Sequence, residues 1–99
     1  MKDDIIQEIC IHDNGSLSIS PANETFLYIY RETMNVHWDK DFNFLYSPKP
    51  PEWSNWTYLD CFKNILAATL EQSTVLNITG NTRWVNVGEE LKKQILATA

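Results

Sequence analysis

In the stretch "HWDKD", His37, Asp39 and Asp41 occupy alternate positions. Side chains on a β-strand alternate between faces, so all three would project to one side. A histidine beside two carboxylates is a donor set for a divalent metal, and it could equally serve a metal-dependent hydrolase as a general-base pair. The same residues also read as the polar tip and solvated face of a hairpin, because Asp-Lys-Asp is ordinary turn composition. That second reading is preferred. Cys10 and His12 share a strand face in the same manner. If their hairpin adjoined that of His37 and Asp39, the four would offer the ligand types of zinc, although without the tight spacing of structural zinc sites. No metal or other cofactor is therefore expected.

The remaining reactive side chains point away from catalysis. Cys61 falls where helical spacing makes it a small packing residue, and nothing marks it as an activated nucleophile. No P-loop, dinucleotide fingerprint, HExxH or GxSxG occurs, and three glycines in 99 residues leave no phosphate cradle. The chain is expected to work by binding rather than by catalysis.

Aromatic residues carry that expectation. The chain holds four Trp, four Tyr and four Phe, a large number for one small core to hide. Trp and Tyr are enriched at binding hot spots. "PPEWSNWTYLDCF" places Trp53 and Trp56 in the loop entering a helix, where either can act as a hydrophobic staple. They are candidate anchors for a partner, with Glu52, Asp39, Asp41 and Asp60 meeting its cations. The alternative is a pocket for a small apolar or aromatic ligand, lined by Phe26, Tyr30, Trp38 and Phe62.

Charge narrows the partner. Thirteen acidic against eight basic residues give a formal net charge of −5. Nucleic acid, which needs cations to replace its counterions, and an anionic membrane surface are both disfavoured. A protein partner fits, either a second copy or a basic protein, and an inhibitor of the toxin-immunity type is one form of it. No apolar run reaches the roughly 18 residues of a membrane span. The acidic start "MKDDII" does not read as a signal peptide, so a cytoplasmic protein with two buried, unpaired thiols is expected. The Asn-x-Thr triplets at Asn23, Asn55 and Asn77 then count as chance matches.

The elements that position these residues follow from periodicity. "EICIHDNGSLSIS" alternates on both sides of Asn14-Gly15 and predicts a β-hairpin closed by a two-residue turn. Ser20 and Pro21 read as the cap and first residue of a helix carrying Phe26, Ile29, Tyr30 and Met34 on one stripe, against a competing buried strand over "TFLYIY". "NVHWDKDFNFLYSP" predicts a second hairpin, followed by the proline-stiffened "SPKPPE". Thr57 with Asp60 forms a capping box opening a helix with Leu59, Phe62, Leu66 and Leu70 inward. Two strands, 75–79 and 82–87, are joined at Gly80-Asn81, and Asn86 with Glu89 caps a closing helix. The expectation is one α+β domain over 1–99, of antiparallel hairpins packed with about three helices.

The order of aromatic, proline and Trp-Ser elements from Tyr28 through "YIYRETMNVHWDKDFNFLYSPKPPEWSNWTYLDCFKNI", with the later "TRWVNV", resembles small proteins encoded on bacterial integron gene cassettes. The resemblance implies a compact bacterial cytoplasmic protein, often oligomeric, and brings no functional residues with it. Small acidic immunity or antitoxin proteins have a similar general look.

Overall fold

The computed structural model describes residues 1–29 and 35–98. Six strands and two helices are present among them: β1 Lys2–Ile11, β2 Leu17–Pro21, β3 His37–Asp39, β4 Phe44–Ser47, α1 Tyr58–Glu71, β5 Thr74–Asn77, β6 Arg83–Val85 and α2 Glu89–Thr98. The strands form one sheet in the order β3-β4-β2-β1-β5, with β6 also on β1. The chain is a single compact α+β domain with a radius of gyration of 12.5 Å, close to the roughly 13 Å of a 100-residue domain. Among the described residues no helix is long and apolar enough to cross a membrane.

The first hairpin forms as expected, with Ile9 opposite Ile19 and Ile11 opposite Leu17. Its connection is longer than the two residues predicted. Gly15 N–H donates to the His12 carbonyl and His12 N–H to that of Ser16, and Gly15 takes φ +87°. This is a three-residue loop in which only the glycine needs the left-handed region. Asn14 acts through its side chain, whose oxygen accepts from the Ser16 N–H and hydroxyl.

The second hairpin is also present, with β3 antiparallel to β4 and Trp38 opposite Leu45. β4 in turn pairs with β2, setting the two hairpins side by side. At the tip, Asp39 Oδ1 accepts the N–H groups of Asp41 and Phe42, and Asn43 supplies a positive φ.

Three expectations are corrected. Ser20 and Pro21 continue β2 rather than opening a helix, and the described remainder, 22–29, is loop and turn. The Asn23 N–H, which a first helical turn would leave free, and the Glu24 N–H, which would bond the Ser20 carbonyl, go instead to the Asp4 carboxylate. Phe26 and Ile29 still reach the core; Tyr30 and Met34 lie outside the described residues. The sheet is mixed rather than built wholly from antiparallel hairpins. β5 and β6 do not pair with each other across Gly80-Asn81; each runs parallel to β1, β5 along its first half and β6 along its second. Thr82 fills the step between them, its hydroxyl donating to the Ile6 carbonyl at 2.6 Å and accepting from Thr79 N–H. Finally, Asn86 does not cap α2. It adopts φ +57° and its side-chain amide donates to the Ile11 carbonyl.

Both capping-box bonds of Thr57 and Asp60 are present at α1. Its buried face centres on Cys61, Phe62, Ile65, Ala68 and Thr69, whereas the predicted inward Leu70 is exposed. Both helices lie on one side of the sheet. There Ile9, Leu17, Ile19, Leu45, Phe62, Ile65 and Ile95 are fully buried, and Lys92 of α2 sits 5.3 Å above the Trp84 ring. No helix among the described residues covers the other side.

Candidate functional site

Residues 48–56 connect β4 to α1, and their chemistry decides how Trp53 and Trp56 are presented. Pro48, Pro50 and Pro51 fix φ and remove backbone donors, so the segment cannot join the sheet. Ser54 closes a turn, its N–H and hydroxyl both donating to the Pro51 carbonyl, while its oxygen accepts from Trp56 N–H. Trp53, at the apex, is 88% exposed, and Trp56 is 44% exposed. Together with Asn35, Ser47, Lys49 and the three prolines they line an open hollow of about 500 Å³.

Trp56 immediately precedes the Thr57 cap, the staple position, and its counterpart four residues into the helix is Cys61. Burial dominates the surroundings of Cys61 and pushes its thiol upward, outweighing the lowering influence of the nearby Ser47 and Trp56 side chains. With no exposed surface, Cys61 is a protonated packing group beneath the hollow. What remains for a visitor is mainly apolar, a tryptophan face and proline rings with Asn35, Ser47, Lys49 and Ser54 among them, a surface that can receive an apolar or aromatic side chain.

A second concavity lies on the helix-free face of the sheet. Strand alternation there presents His37 and Asp39 of β3, Phe44 and Tyr46 of β4, Ser18 of β2 and Cys10 of β1. The His12 ring packs on Phe44 at 5.2 Å, with Nε2 2.8 Å from Ser18 Oγ. Phe44 stacks with Phe42 and meets Tyr46 edge-on, each at 6.1 Å; His37 lies 5.2 Å from Tyr46. His12, Asn14, Ser16, Asp39, Phe44 and Tyr46 surround a cleft of about 280 Å³.

These positions test the candidates. Cys10, His12, His37 and Asp39 do share one face of one sheet. However, β4 and β2 separate β3 from β1, so about 14 Å of sheet lies between Cys10 and the β3 pair at ~4.8 Å per strand, while the His12 ring packs on Phe44. Tyr46, Phe44 and Ser18 occupy the gap. No group of three His, Cys, Asp or Glu side chains is placed to hold a metal ion among the described residues. Both cysteines are unpaired, but Cys10 is half-buried on the open face rather than in the core. Burial, then the neighbouring Glu8 and Asp13, raise its thiol pKa.

The acidic candidates do not gather around the tryptophans. Asp60 is engaged in the capping box, and Asp39 lines the open-face cleft. Asp41 is exposed at the β3–β4 tip, and Glu52 is exposed beside Trp53. In the alternative ligand pocket, Phe26 and Trp38 pack on each other edge-to-face at 5.8 Å and Phe62 is fully buried; Tyr30 lies outside the described residues. Sequence reasoning missed the cleft formed by His12, Asn14, Ser16, Phe44 and Tyr46. Its signal was the polar-or-aromatic half of each alternating hairpin, which becomes one surface only once β2 lies beside β4.

Comparison with known proteins bears on identity. Residues 4–82 match the family described as Integron Cassette Protein Hfx_Cass5. A solved structure of Integron Cassette Protein Hfx_Cass5, from the mobile metagenome of the North West Arm Sewage Outfall, is 38% identical over 98% of this chain and 95% of its own, with a TM-score of 0.48. No curated protein matches. With 79 of its 99 residues matched, including those that line both concavities, this chain belongs to the Hfx_Cass5 integron cassette protein family.

Proposed function

We propose that this chain is a small acidic cytoplasmic protein that works by binding another protein, with Trp53 and Trp56 as the anchoring residues. The observation that carries the reading is Trp53, 88% exposed at the rim of an apolar hollow. An indole held in water by a proline-stiffened turn gives the fold no burial energy, and its large apolar surface gains free energy once a partner covers it. The hollow accepts an apolar or aromatic side chain from that partner. The partner is a second copy or a basic protein; inhibition of a basic toxin, as by an immunity protein, is one form of the second case.

Sedimentation velocity of the purified chain across micromolar to millimolar concentration tests self-association, and capture on immobilised chain tests a foreign partner. Trp53→Ala serves as the control in both. The expected result is a dimer or a captured protein that disappears in the variant. A monomer at every concentration, together with identical capture by both chains, would overturn the reading.

A further inference from the structure

We propose that the cleft on the helix-free face, between Asp39, Phe44 and Tyr46, is a binding site for an organic cation of the guanidinium type. It shares no lining residue with the tryptophan hollow and does not depend on that reading.

Charge comes first. Of the six residues lining the cleft, Asp39 is the one carboxylate and none is a Lys or Arg, so a cation finds a counter-charge there. The carboxylate is also oriented in advance. Oδ1 accepts two N–H groups of its own turn, at 2.9 and 3.1 Å, while Oδ2 has no partner among the described residues.

Shape selects the kind of cation. Phe44 is the centre of a ring cluster, with His12 tilted against it at 5.2 Å and Phe42 nearly parallel at 6.1 Å. Tyr46 stands edge-on to it at 6.1 Å. Aromatic faces attract cations through their quadrupole. A planar guanidinium can lie on such a face while directing its N–H fork at a carboxylate, which a compact ammonium cannot do as well. The Tyr46 hydroxyl makes no hydrogen bond among the described residues and can accept a further N–H.

The test is an NMR titration of the ¹⁵N-labelled chain with arginine amide, against citrulline amide, whose ureido group is the neutral isostere of the guanidinium. The expected result is saturable shifts centred on Asp39, Phe44 and Tyr46, with citrulline amide weaker by about tenfold or more. Asp39→Asn keeps an acceptor for the two turn N–H groups and removes only the charge, so it should lose a similar factor. Tyr46→Leu supplies a second loss should Asp39→Asn disturb the tip. A Gly-Arg-Gly peptide binding more tightly than arginine amide points to a protein-borne arginine; equal or weaker binding points to a free guanidine compound, and both support the site. Equal shifts with citrulline amide, shifts centred elsewhere, or full binding by both variants would overturn it.

Discussion

The two faces of the sheet are made by alternate residues of the same strands, yet they are different materials. On the helix side Ile9, Leu17, Ile19 and Leu45 have no exposed surface. One residue along each strand, the other side presents Cys10, Ser18 and Tyr46. That second side is not a plain solvated surface: Ser18 is almost fully buried beneath the rings of the His12–Phe44–Tyr46 cluster. Period-two alternation therefore separates core from not-core, but it does not separate a bare face from a furnished one.

The sharpest way to break the comparison is to truncate neighbouring residues of β4. Leu45→Ala leaves a cavity beneath α1 and should cost about 2–5 kcal/mol. Tyr46→Ala, one position along, loses only half-buried ring area and should cost about 1 kcal/mol. Urea denaturation of both variants checks the ratio, and equal losses would mean that the open face is as much a core as the other.

Asp4 is the next largest test, because it is the buried carboxylate that ties 22–24 to β1. Burial alone would raise its pKa, but donors from Glu24, Asn23 and Ile5 outweigh burial and lower it. A folded-state pKa below the unfolded one gives stability that is fully present above the unfolded value and is lost as pH falls through the folded one. The loss thus begins below about pH 4. Asp4→Asn should cost about 1.5–3 kcal/mol near neutral pH and flatten that acid limb. Stability curves at pH 7 and pH 3 should show the gap between the two proteins narrowing.

A smaller effect belongs to the β1–β2 loop. A Cβ on Gly15 would come within 2.7–2.9 Å of the Lys49 side-chain carbons, in a backbone with φ +87°. Gly15→Ala should therefore cost roughly 1–3 kcal/mol. Because the Gly15 carbonyl also accepts the Tyr58 hydroxyl at 2.7 Å, hydrogen exchange should report loosening at the start of α1 as well as in the loop.

The parts legible in the sequence were those set by near neighbours. The alternation through Ile9 to Ile19, the tip at Asp39 to Asp41, and the Thr57–Asp60 box all formed where their spacing put them. Contacts distant in sequence could not be read. The Asp4 carboxylate, about 20 residues away, took the Asn23 N–H that a Ser20 cap would have received and the Glu24 N–H that would have made the first helical bond. Thr82 carried the chain along β1, so Gly80-Asn81 did not close a hairpin. At the site, "HWDKD" showed a shared face but not its neighbours. Only the β2–β4 pairing brings His12 and Ser18 of the first hairpin against Phe44 and Tyr46 of the second.

The smallest predicted effect sharpens the comparison most, because it sets a ring that fills the fold against one that does not. Trp38 is tied to the core through Phe26; Trp53 sits at 88% exposure on a turn held by Ser54 and Pro51. Trp53→Ala removes almost no buried surface and leaves that turn's hydrogen bonds in place, so stability should move by no more than about 0.5 kcal/mol. Trp38→Ala should cost several times as much. In acrylamide quenching, loss of Trp53 should remove the most accessible part of the emission, whereas loss of Trp38 should remove a shielded part. If Trp53→Ala instead destabilised the chain as strongly as Trp38→Ala, its ring would be packing in the isolated protein, and the reason to place a partner on the hollow would go with it.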